Sequence, residues 1–337
     1  MYWASGAGTG KVKEFEKKFK EYTNAQECVS VDSGTAALHL ALNILDIKNK
    51  EVLVPSLTFV TTVHSILYNG GIPIFVDVDP TTLCMDINDT KRKMSKKTKV
   101  IIPMHFGGYP CKIDEIEKIA QENSCYVVED AAHACGAKFK GKRIGAQSEL
   151  VCFSFHPIKN LAMLKGGAIA INMKNKLEIK RKLNSLRWCG IDNRRGSFYD
   201  ITHLGYNYYM DEISAAIGIE QLKKLDMLNK KRLRTAKSYN KELNFSKKMP
   251  LNEDCCYHFY WINVKNRKRF MKQMYLKGIE TGSHYLPVHL MSYYNSKVKL
   301  PTTEKVGQEI VTLPTHPNLS DDDVDFIIRT TNSMSNI

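Results

Sequence analysis

The sequence predicts an α/β fold: a large domain built on a mixed, mostly parallel sheet, followed by a smaller C-terminal α+β domain. Its 337 residues fit about two domains at roughly 150 residues each. From residue 28 to residue 172, short runs rich in Val, Ile and Phe alternate with helix-length segments, as in parallel sheets joined by helices. Longer helical segments follow. We therefore expect a large domain over residues 1–235 and a small one over residues 236–337.

The alternating segments give the order of elements in the large domain. Strands are predicted at residues 28–31, 51–55, 73–78, 99–104, 126–130, 151–155 and 168–172. Helices are predicted between them at residues 35–45, 58–69 and 113–123. Several of these strands end in polar or ionisable residues. Because ligands bind at the carboxyl ends of strands in open α/β sheets, we expect the functional site there.

The C-terminal part has a different pattern. Residues 210–243 alternate apolar and charged positions and predict one or two helices connecting the domains. A strand is predicted near 257–264, a helix near 270–277 and a terminal helix over 320–332. Ser320 is a favourable N-cap, and the aspartates after it suit the first turn of a helix.

The composition, with 43% hydrophobic and 25% charged residues, is typical of a folded globular protein. Apolar runs stay far below the roughly 20 residues that span a bilayer. The N-terminal sequence MYWASGAGTG lacks the apolar core of a signal peptide. Nine cysteines, without paired ligand spacings, predict reduced thiols and no metal site. We therefore expect a cytoplasmic protein without a membrane anchor.

The net charge of +14 raises nucleic acid as a partner. However, the lysines are spread along predicted helices, and no interleaving of aromatic and basic residues predicts a groove for a nucleic-acid strand. A solvated basic surface or anionic small substrates explain the charge equally well. We therefore do not expect nucleic acid as the partner.

Two motifs suit an anionic, ring-containing ligand. Ser33 opens SGTAAL, where free backbone N–H groups at a helix start and the Thr35 hydroxyl would bind phosphate. An ordinary capped helix explains the same residues. The predicted strand 126–130 ends in Asp130, with His133 three residues on. An Asp at a strand end can hold the protonated pyridine nitrogen of pyridoxal 5'-phosphate (PLP), although a capping role is the alternative.

Two further motifs suit the same chemistry. In FSFHPIKN, Lys159 lies in the turn after a strand, where a lowered pKa would let its amine attack an aldehyde and form a Schiff base. A plain surface lysine is the alternative. GYNYYMDEISAAIG joins an aromatic-rich turn to a helix face of small residues. That face allows close packing within the subunit or across a dimer interface.

The order of SGTAAL, EDAAH, FSFHPIKN with a following Gly-Gly, GYNYYMDEISAAIG, HYLPVH and LPTHP resembles the DegT/DnrJ/StrS aminotransferases. These are sugar aminotransferases of PLP fold type I. The resemblance runs from about Gly8 to Ile328. It implies PLP as cofactor, with pyridoxamine 5'-phosphate (PMP) as its aminated form.

The resemblance also implies roles for individual residues. Lys159 would form the Schiff base with PLP and later move a proton. Asp130 would pair with the pyridine nitrogen, and His133 would lie near the phenolic oxygen. Phe59 would stack on one face of the ring, with Ala132 against the other.

The PLP phosphate would be bound by Gly34, Thr35 and Ser154 and, from the neighbouring subunit, by Asn207. A homodimer with shared active sites is therefore implied. The implied reaction moves an amino group from an amino acid, most readily glutamate, to a nucleotide-linked keto-deoxysugar for glycan or polysaccharide biosynthesis. Substrate-side candidates are Lys165, His284, Tyr285 and His289.

The chain departs from the family pattern in three places. Lys165 replaces a common glutamate, and Tyr209 stands where an arginine is common. The chain also begins late, about two dozen residues short of the usual start. The changed Lys165 and Tyr209 keep open an aminotransferase for a non-nucleotide ketone, such as a cyclitol or small phosphorylated ketone. A non-catalytic regulatory protein on the same scaffold is the other alternative. In the related sugar dehydratases a histidine replaces the Schiff-base lysine, whereas this chain keeps Lys159.

Overall fold

The computed structural model describes residues 10–195, 197–294 and 296–335. The expectations about the N-terminal sequence before Gly10 lie outside these ranges. The helices are α1 Gly10–Thr23, α2 Gly34–Ile44, α3 Val60–Tyr68, α4 Ile87–Lys93, α5 Ile113–Glu122, α6 Lys176–Arg187, α7 Glu212–Glu242, α8 Arg267–Leu276, α9 Pro301–Glu309 and α10 Asp321–Asn332. The strands are β1 Glu27–Val31, β2 Glu51–Pro55, β3 Ile72–Val76, β4 Thr98–Ile101, β5 Tyr126–Asp130, β6 Lys138–Phe139, β7 Lys142–Arg143, β8 Leu150–Ser154, β9 Gly167–Ile171, β10 Ile191–Arg195, β11 Phe198–Ile201, β12 Tyr260–Asn263 and β13 Ile310–Leu313.

Seven of the described strands form one sheet in the order β1-β9-β8-β5-β4-β2-β3. The strands from β3 to β8 in this order pair in parallel, whereas β9 runs antiparallel to both β8 and β1. The mixed, mostly parallel sheet is thereby confirmed. Gly167 pairs with Val31 on one side and with Ser154 on the other. The carboxyl ends of β1, β5 and β8 therefore meet at one edge of the sheet.

Both faces of the sheet are covered, which explains why its central strands are apolar along their whole length. On one face, α2, α3 and α6 pack against side chains such as Val128 and Cys152. On the other, α1 and α7 pack against β8, where the ring of Phe19 lies 5.0 Å from that of Phe153. This double burial holds the carboxyl edge of the sheet in a rigid position.

The C-terminal part pairs β12 with β13 as an antiparallel ribbon, with α8, α9 and α10 nearby in sequence. The predicted cap of α10 is present, because the Ser320 hydroxyl accepts the Asp323 N–H and the Asp323 carboxylate accepts the Ser320 N–H. Among the described residues, no helix is both long and apolar enough to span a bilayer.

The predicted helical connector is present as a single helix over residues 212–242, begun by the Asp211 side chain accepting the Ser214 N–H. The domain boundary at residue 235 stays a prediction. Other predicted elements are corrected by the structure. β4 ends at Ile101 rather than 104, because the chain then turns toward Asp130, whose carbonyl accepts the His105 N–H. The helices α4 and α9 and the short hairpins β6–β7 and β10–β11 are absent from the sequence prediction.

Candidate active site

A cavity of about 320 Å³ lies at the carboxyl ends of β1, β5 and β8. It is enclosed by the start of α2, the start of α3, the turns after β5 and β8, and a segment from the C-terminal part. The sequence-predicted residues that line it are Gly34, Thr35, Phe59, Asp130, Ala132, His133, Ser154, Lys159, Lys165, His284 and Tyr285.

Lys159 lies in the turn that follows β8. Its backbone N–H donates to the carbonyl of His156 at 2.8 Å, which closes the turn. The next residue, Asn160, is buried and donates to Asn229 of α7 at 2.8 Å and to the carbonyl of Cys256 at 2.9 Å. The turn that carries Lys159 is therefore held in place by its contact with α7.

The environment of Lys159 favours its neutral amine. Desolvation lowers the pKa of Lys159 from its ordinary value to about 8, and the attraction of the Asp130 carboxylate partly opposes that shift. A lysine with a pKa near neutral exposes a larger fraction of free amine, the form that attacks a carbonyl. This is the environment that a Schiff-base lysine requires.

Asp130 ends β5 and is almost fully buried. One carboxylate oxygen accepts the Thr62 hydroxyl at 2.7 Å, and the other accepts the Ala132 N–H at 3.0 Å. Burial raises the pKa of Asp130, whereas these two hydrogen bonds and the charge of Lys159 lower it. The hydrogen bonds orient the carboxylate within the cavity and support its charged form.

His133 is buried behind Tyr285. Its Nδ1 accepts the Gly107 N–H at 3.4 Å, and its Nε2 lies 3.1 Å from the Tyr285 hydroxyl. Burial, with the nearby charge of Lys159, lowers the pKa of His133 well below its ordinary value. The ring is therefore neutral, and because Nδ1 accepts, the Nε2–H donates to the Tyr285 oxygen. The Tyr285 hydroxyl proton is left available to another acceptor.

The start of α2 approaches the end of β8 closely. A Cβ at Gly34 would lie 2.7 Å from the Cβ of Ser154, and a Cβ at Gly167 would collide with the carbonyl of Ser33. The Ser33 side chain caps α2 by accepting the Ala36 N–H at 3.2 Å. Gly34 and Thr35 are the first residues of α2, so their N–H groups have no acceptor within the helix. This cradle of amides and the Ser154 hydroxyl suits a phosphate.

Lys165 and Asp32 form an ion pair at the cavity, with Nζ 2.7 Å from a carboxylate oxygen. The Lys165 side chain is 63% exposed, and the Ser33 hydroxyl donates to the other oxygen of Asp32 at 3.0 Å. The positive charge of Lys165, which stands where the family commonly has a glutamate, is therefore paired with Asp32 of the same chain.

His284 faces both this cavity and a larger neighbouring one of about 740 Å³. Its Nδ1 lies 2.9 Å from the Thr312 hydroxyl, and burial lowers the pKa of His284 to about 4. Phe59 begins α3 half-exposed, with its ring 6.0 Å from that of Tyr285.

Two predicted residues lie away from the cavity. The sequence predicts a substrate-facing His289, but the structure buries it completely against Ser56 and near Glu304. Asn207 is exposed and pairs with Trp188, outside the cavity lining of its own chain. Its expected contact is with a neighbouring subunit, so that contact stays a prediction.

The sequence analysis missed Thr62, Asp32 and Asn160. Thr62 reaches Asp130 because α3 crosses the end of β5, a tertiary contact for which the sequence has no local signal. Asn160 stands in the FSFHPIKN motif, so its position was visible, but its partners lie 69 and 96 residues away.

The residues present fit PLP. A buried carboxylate can hold a protonated ring nitrogen, an amine with a lowered pKa can bind an aldehyde, and the free N–H groups at the start of α2 beside the Ser154 hydroxyl can bind a phosphate. These three features surround one cavity at the edge of the sheet. The fold and the site together define a PLP-dependent enzyme.

Comparisons with known proteins identify the family. The pattern of the DegT/DnrJ/EryC1/StrS aminotransferase family matches residues 3–332. GDP-perosamine synthase from Escherichia coli O157:H7 is 34% identical over 338 residues, covering 98% of this chain and 91% of that protein. The chain therefore belongs to this family and is a PLP-dependent sugar aminotransferase.

Solved structures agree with this assignment. The PLP form of Spr1654 from Streptococcus pneumoniae has a TM-score of 0.93 at 27% identity, covering 100% of this chain and 93% of that one. The sugar aminotransferase CalS13 from Micromonospora echinospora has a TM-score of 0.90 at 29% identity, covering 96% of this chain and 92% of that one.

Proposed function

We propose that this enzyme moves an amino group from glutamate to a nucleotide-linked keto-deoxysugar. The similarity to GDP-perosamine synthase supports a nucleotide-linked acceptor. The net charge of +14 suits an anionic diphosphate. The observation that carries the aminotransferase chemistry is Lys159, with a pKa lowered to about 8, in the same cavity as the buried Asp130.

The chain's residues divide the work of binding the cofactor. When bound, PLP supplies an aldehyde for amine exchange and a ring that accepts electrons. Gly34, Thr35 and Ser154 bind the phosphate. Asp130 holds the protonated ring nitrogen, and His133, fixed by Tyr285, lies near the phenolic oxygen, with the Tyr285 hydroxyl proton as the one free to be donated.

Lys159 has two roles in this proposal. It anchors the cofactor through its amine, and once displaced by substrate it moves a proton as a general base. Phe59 and Ala132 contact the two faces of the ring. Lys165, His284 and Tyr285 line the remaining wall of the cavity and are placed to contact substrate.

We further propose that the enzyme is a homodimer in which Asn207 completes the phosphate site of the neighbouring subunit. The exposure of Asn207 supports this assignment, as does the exposure of the apolar side chains Leu204 and Ile213, which flank it in sequence. Exposed apolar side chains grouped in this way are typical of an interface.

The acceptor is tested by product analysis. The PLP-loaded enzyme is incubated with glutamate and a panel of nucleotide-linked keto-deoxysugars, with a cyclitol ketone and small phosphorylated ketones as the matched alternatives. Mass spectrometry of the amine products is expected to show amination of a nucleotide sugar. Amination of only the non-nucleotide ketones would contradict the proposed acceptor.

A further inference from the structure

Ser56 and His289 form a buried contact between two distant parts of the chain. The Ser56 hydroxyl donates to Nδ1 of His289 at 2.6 Å and accepts the His289 backbone N–H at 3.0 Å. The Ser56 carbonyl also accepts the N–H of Val288 at 2.9 Å. Both side chains are fully buried. We call this set of three hydrogen bonds the Ser56–His289 latch.

The latch joins two segments that line the active-site cavity. Ser56 follows β2 and comes three residues before Phe59, whereas His289 comes four residues after Tyr285. Neither Ser56 nor His289 lies in the cavity lining. Any effect of the latch on the cavity must therefore pass through the backbone to Phe59 and Tyr285.

Tyr285 depends on the position of this segment. Its hydroxyl is the hydrogen-bond partner of His133 Nε2 at 3.1 Å, and its ring lies 6.0 Å from that of Phe59. A shift of about 1 Å in a side chain of an active site is enough to impair it. The latch holds the backbone on both sides of this contact.

The chemistry of His289 suits a fixed hydrogen bond. The Nε2 atom lies 3.5 Å from a carboxylate oxygen of Glu304, which favours the neutral tautomer with its proton on Nε2. Nδ1 is then the acceptor of the Ser56 hydroxyl proton. Burial lowers the pKa of His289, and the Glu304 charge partly opposes this. The ring is therefore neutral at pH 7.

Ser56, His289 and Glu304 together have the composition of a hydrolytic triad, but the burial of Ser56 excludes that role. Its hydroxyl is fully buried and lies outside the cavity, so a substrate carbonyl cannot reach it. What remains is a positioning role.

We propose that His289 is a positioning residue that holds residues 284–290 against the end of β2 and thereby fixes Tyr285 against His133. Without the latch, this segment separates from Ser56 and the wall of the cofactor cavity loosens. The proposal predicts a change in the cofactor-free protein and, separately, a change in PLP affinity. It can therefore fail while the aminotransferase function stands.

The first test is amide hydrogen exchange in the cofactor-free protein. In Ser56→Ala, which removes the acceptor of the His289 backbone N–H, that amide is expected to exchange at least tenfold faster than in the wild type. In His289→Leu, which removes the acceptor that orients the Ser56 hydroxyl, the same amide is expected to exchange faster as well. His289→Asn is expected to restore protection, because the Asn amide oxygen can take the place of Nδ1 as acceptor. Thr303→Val is the matched control. It deletes a fully buried hydroxyl of α9 that donates to Asp77 and does not contact the cavity.

The second readout is PLP affinity measured by absorbance titration. Loss of the latch is expected to raise the dissociation constant roughly tenfold in His289→Leu and Ser56→Ala, the effect of one hydrogen bond of about 1.4 kcal/mol. His289→Asn and Thr303→Val are expected to bind PLP like the wild type.

Unchanged exchange of the His289 amide in Ser56→Ala would overturn the proposal. Equal loss of amide protection in His289→Asn and His289→Leu would also overturn it. Should His289→Leu fail to fold, Ser56→Ala and His289→Asn decide the question by themselves. Faster exchange together with wild-type PLP affinity would contradict the link between the latch and the cavity.

Discussion

At the scale of single residues, the site rests on two groups whose surroundings shift their pKa values toward each other. Burial lowers the pKa of Lys159 and raises that of Asp130, while their mutual attraction opposes both shifts. Strongly perturbed pKa values of buried groups in one cavity are typical of functional sites. Here the lowered pKa of Lys159 favours its neutral amine, and hydrogen bonds from Thr62 and Ala132 support the charged form of Asp130.

The lowered pKa of Lys159 predicts how PLP association depends on pH. Only the neutral amine attacks the aldehyde. The association rate of PLP with the cofactor-free enzyme should therefore rise about tenfold per pH unit below pH 8 and level off above it. The measurement is stopped-flow absorbance across that pH range.

A control separates this effect from the titration of PLP itself. The reaction of PLP with a simple amine is followed over the same range, and its pH dependence is divided out. A midpoint near 10.4, the ordinary value for lysine, would contradict the proposed desolvation of Lys159.

The sequence identified those site residues that follow strand ends. Asp130, Ser154 and Lys159 could be placed because parallel strands bring their carboxyl ends to one edge. His289 could not be placed, because its burial depends on Ser56, 233 residues away. A polar residue in a loop has no local pattern that separates a substrate contact from a buried hydrogen bond.

At the scale of elements, the site depends on how two helices begin. α2 begins at Gly34, close against Ser154, and α3 begins after Phe59 and carries Thr62 to Asp130. Both helices follow strands of the sheet, so the sheet fixes their first turns. The start of α2 forms the phosphate cradle, and the start of α3 orients the Asp130 carboxylate.

Thr62→Val tests the contribution of α3 to Asp130. Valine keeps the shape of threonine but removes the hydroxyl donor, which raises the pKa of Asp130 further and weakens its hold on a protonated ring nitrogen. A hydrogen bond to a charged group contributes about 1.5–3 kcal/mol, so the dissociation constant of PLP should rise at least tenfold.

Thr62→Ser is the matched variant, because it keeps the hydroxyl. It should bind PLP close to wild type in the same absorbance titration. Equal affinity in the valine and serine variants would show that the Thr62 hydroxyl does not support Asp130.

Most of the elements that the sequence missed lack a local signal. The strands of the hairpin β6–β7 are short and partly exposed, and those of β10–β11 are largely exposed, so neither has the buried apolar run that marked the central strands. α9 begins at Pro301, and its first turn is capped from outside by the Asp77 side chain, which accepts the N–H groups of Thr302 and Thr303. Caps that come from distant residues have no local signal.

At the scale of the whole molecule, the proposed homodimer makes each active site depend on two chains. Lys159 would belong to one subunit and Asn207 to the other. The sequence predicted this sharing by resemblance alone, since contacts between subunits have no pattern within one chain.

Subunit mixing tests this arrangement. Lys159→Ala and Asn207→Ala homodimers are each expected to have little activity. After mixing and exchange of subunits, about a quarter of the sites combine an intact Lys159 with an intact Asn207, and activity should recover to that level. The measurement is transamination rate against time after mixing, with unmixed variants as controls. No recovery, despite subunit exchange shown by tagged subunits, would contradict shared sites.

The proposed role of Lys159 is to bind PLP in this aminotransferase. The decisive measurement is the absorption spectrum of the purified enzyme with PLP, before and after glutamate, beside that of Lys159→Ala. The wild type should show the band of lysine-bound PLP, and glutamate should convert it to the band of PMP. The variant should lack the lysine-bound band. A wild type without that band, or one that glutamate leaves unchanged, would contradict the account.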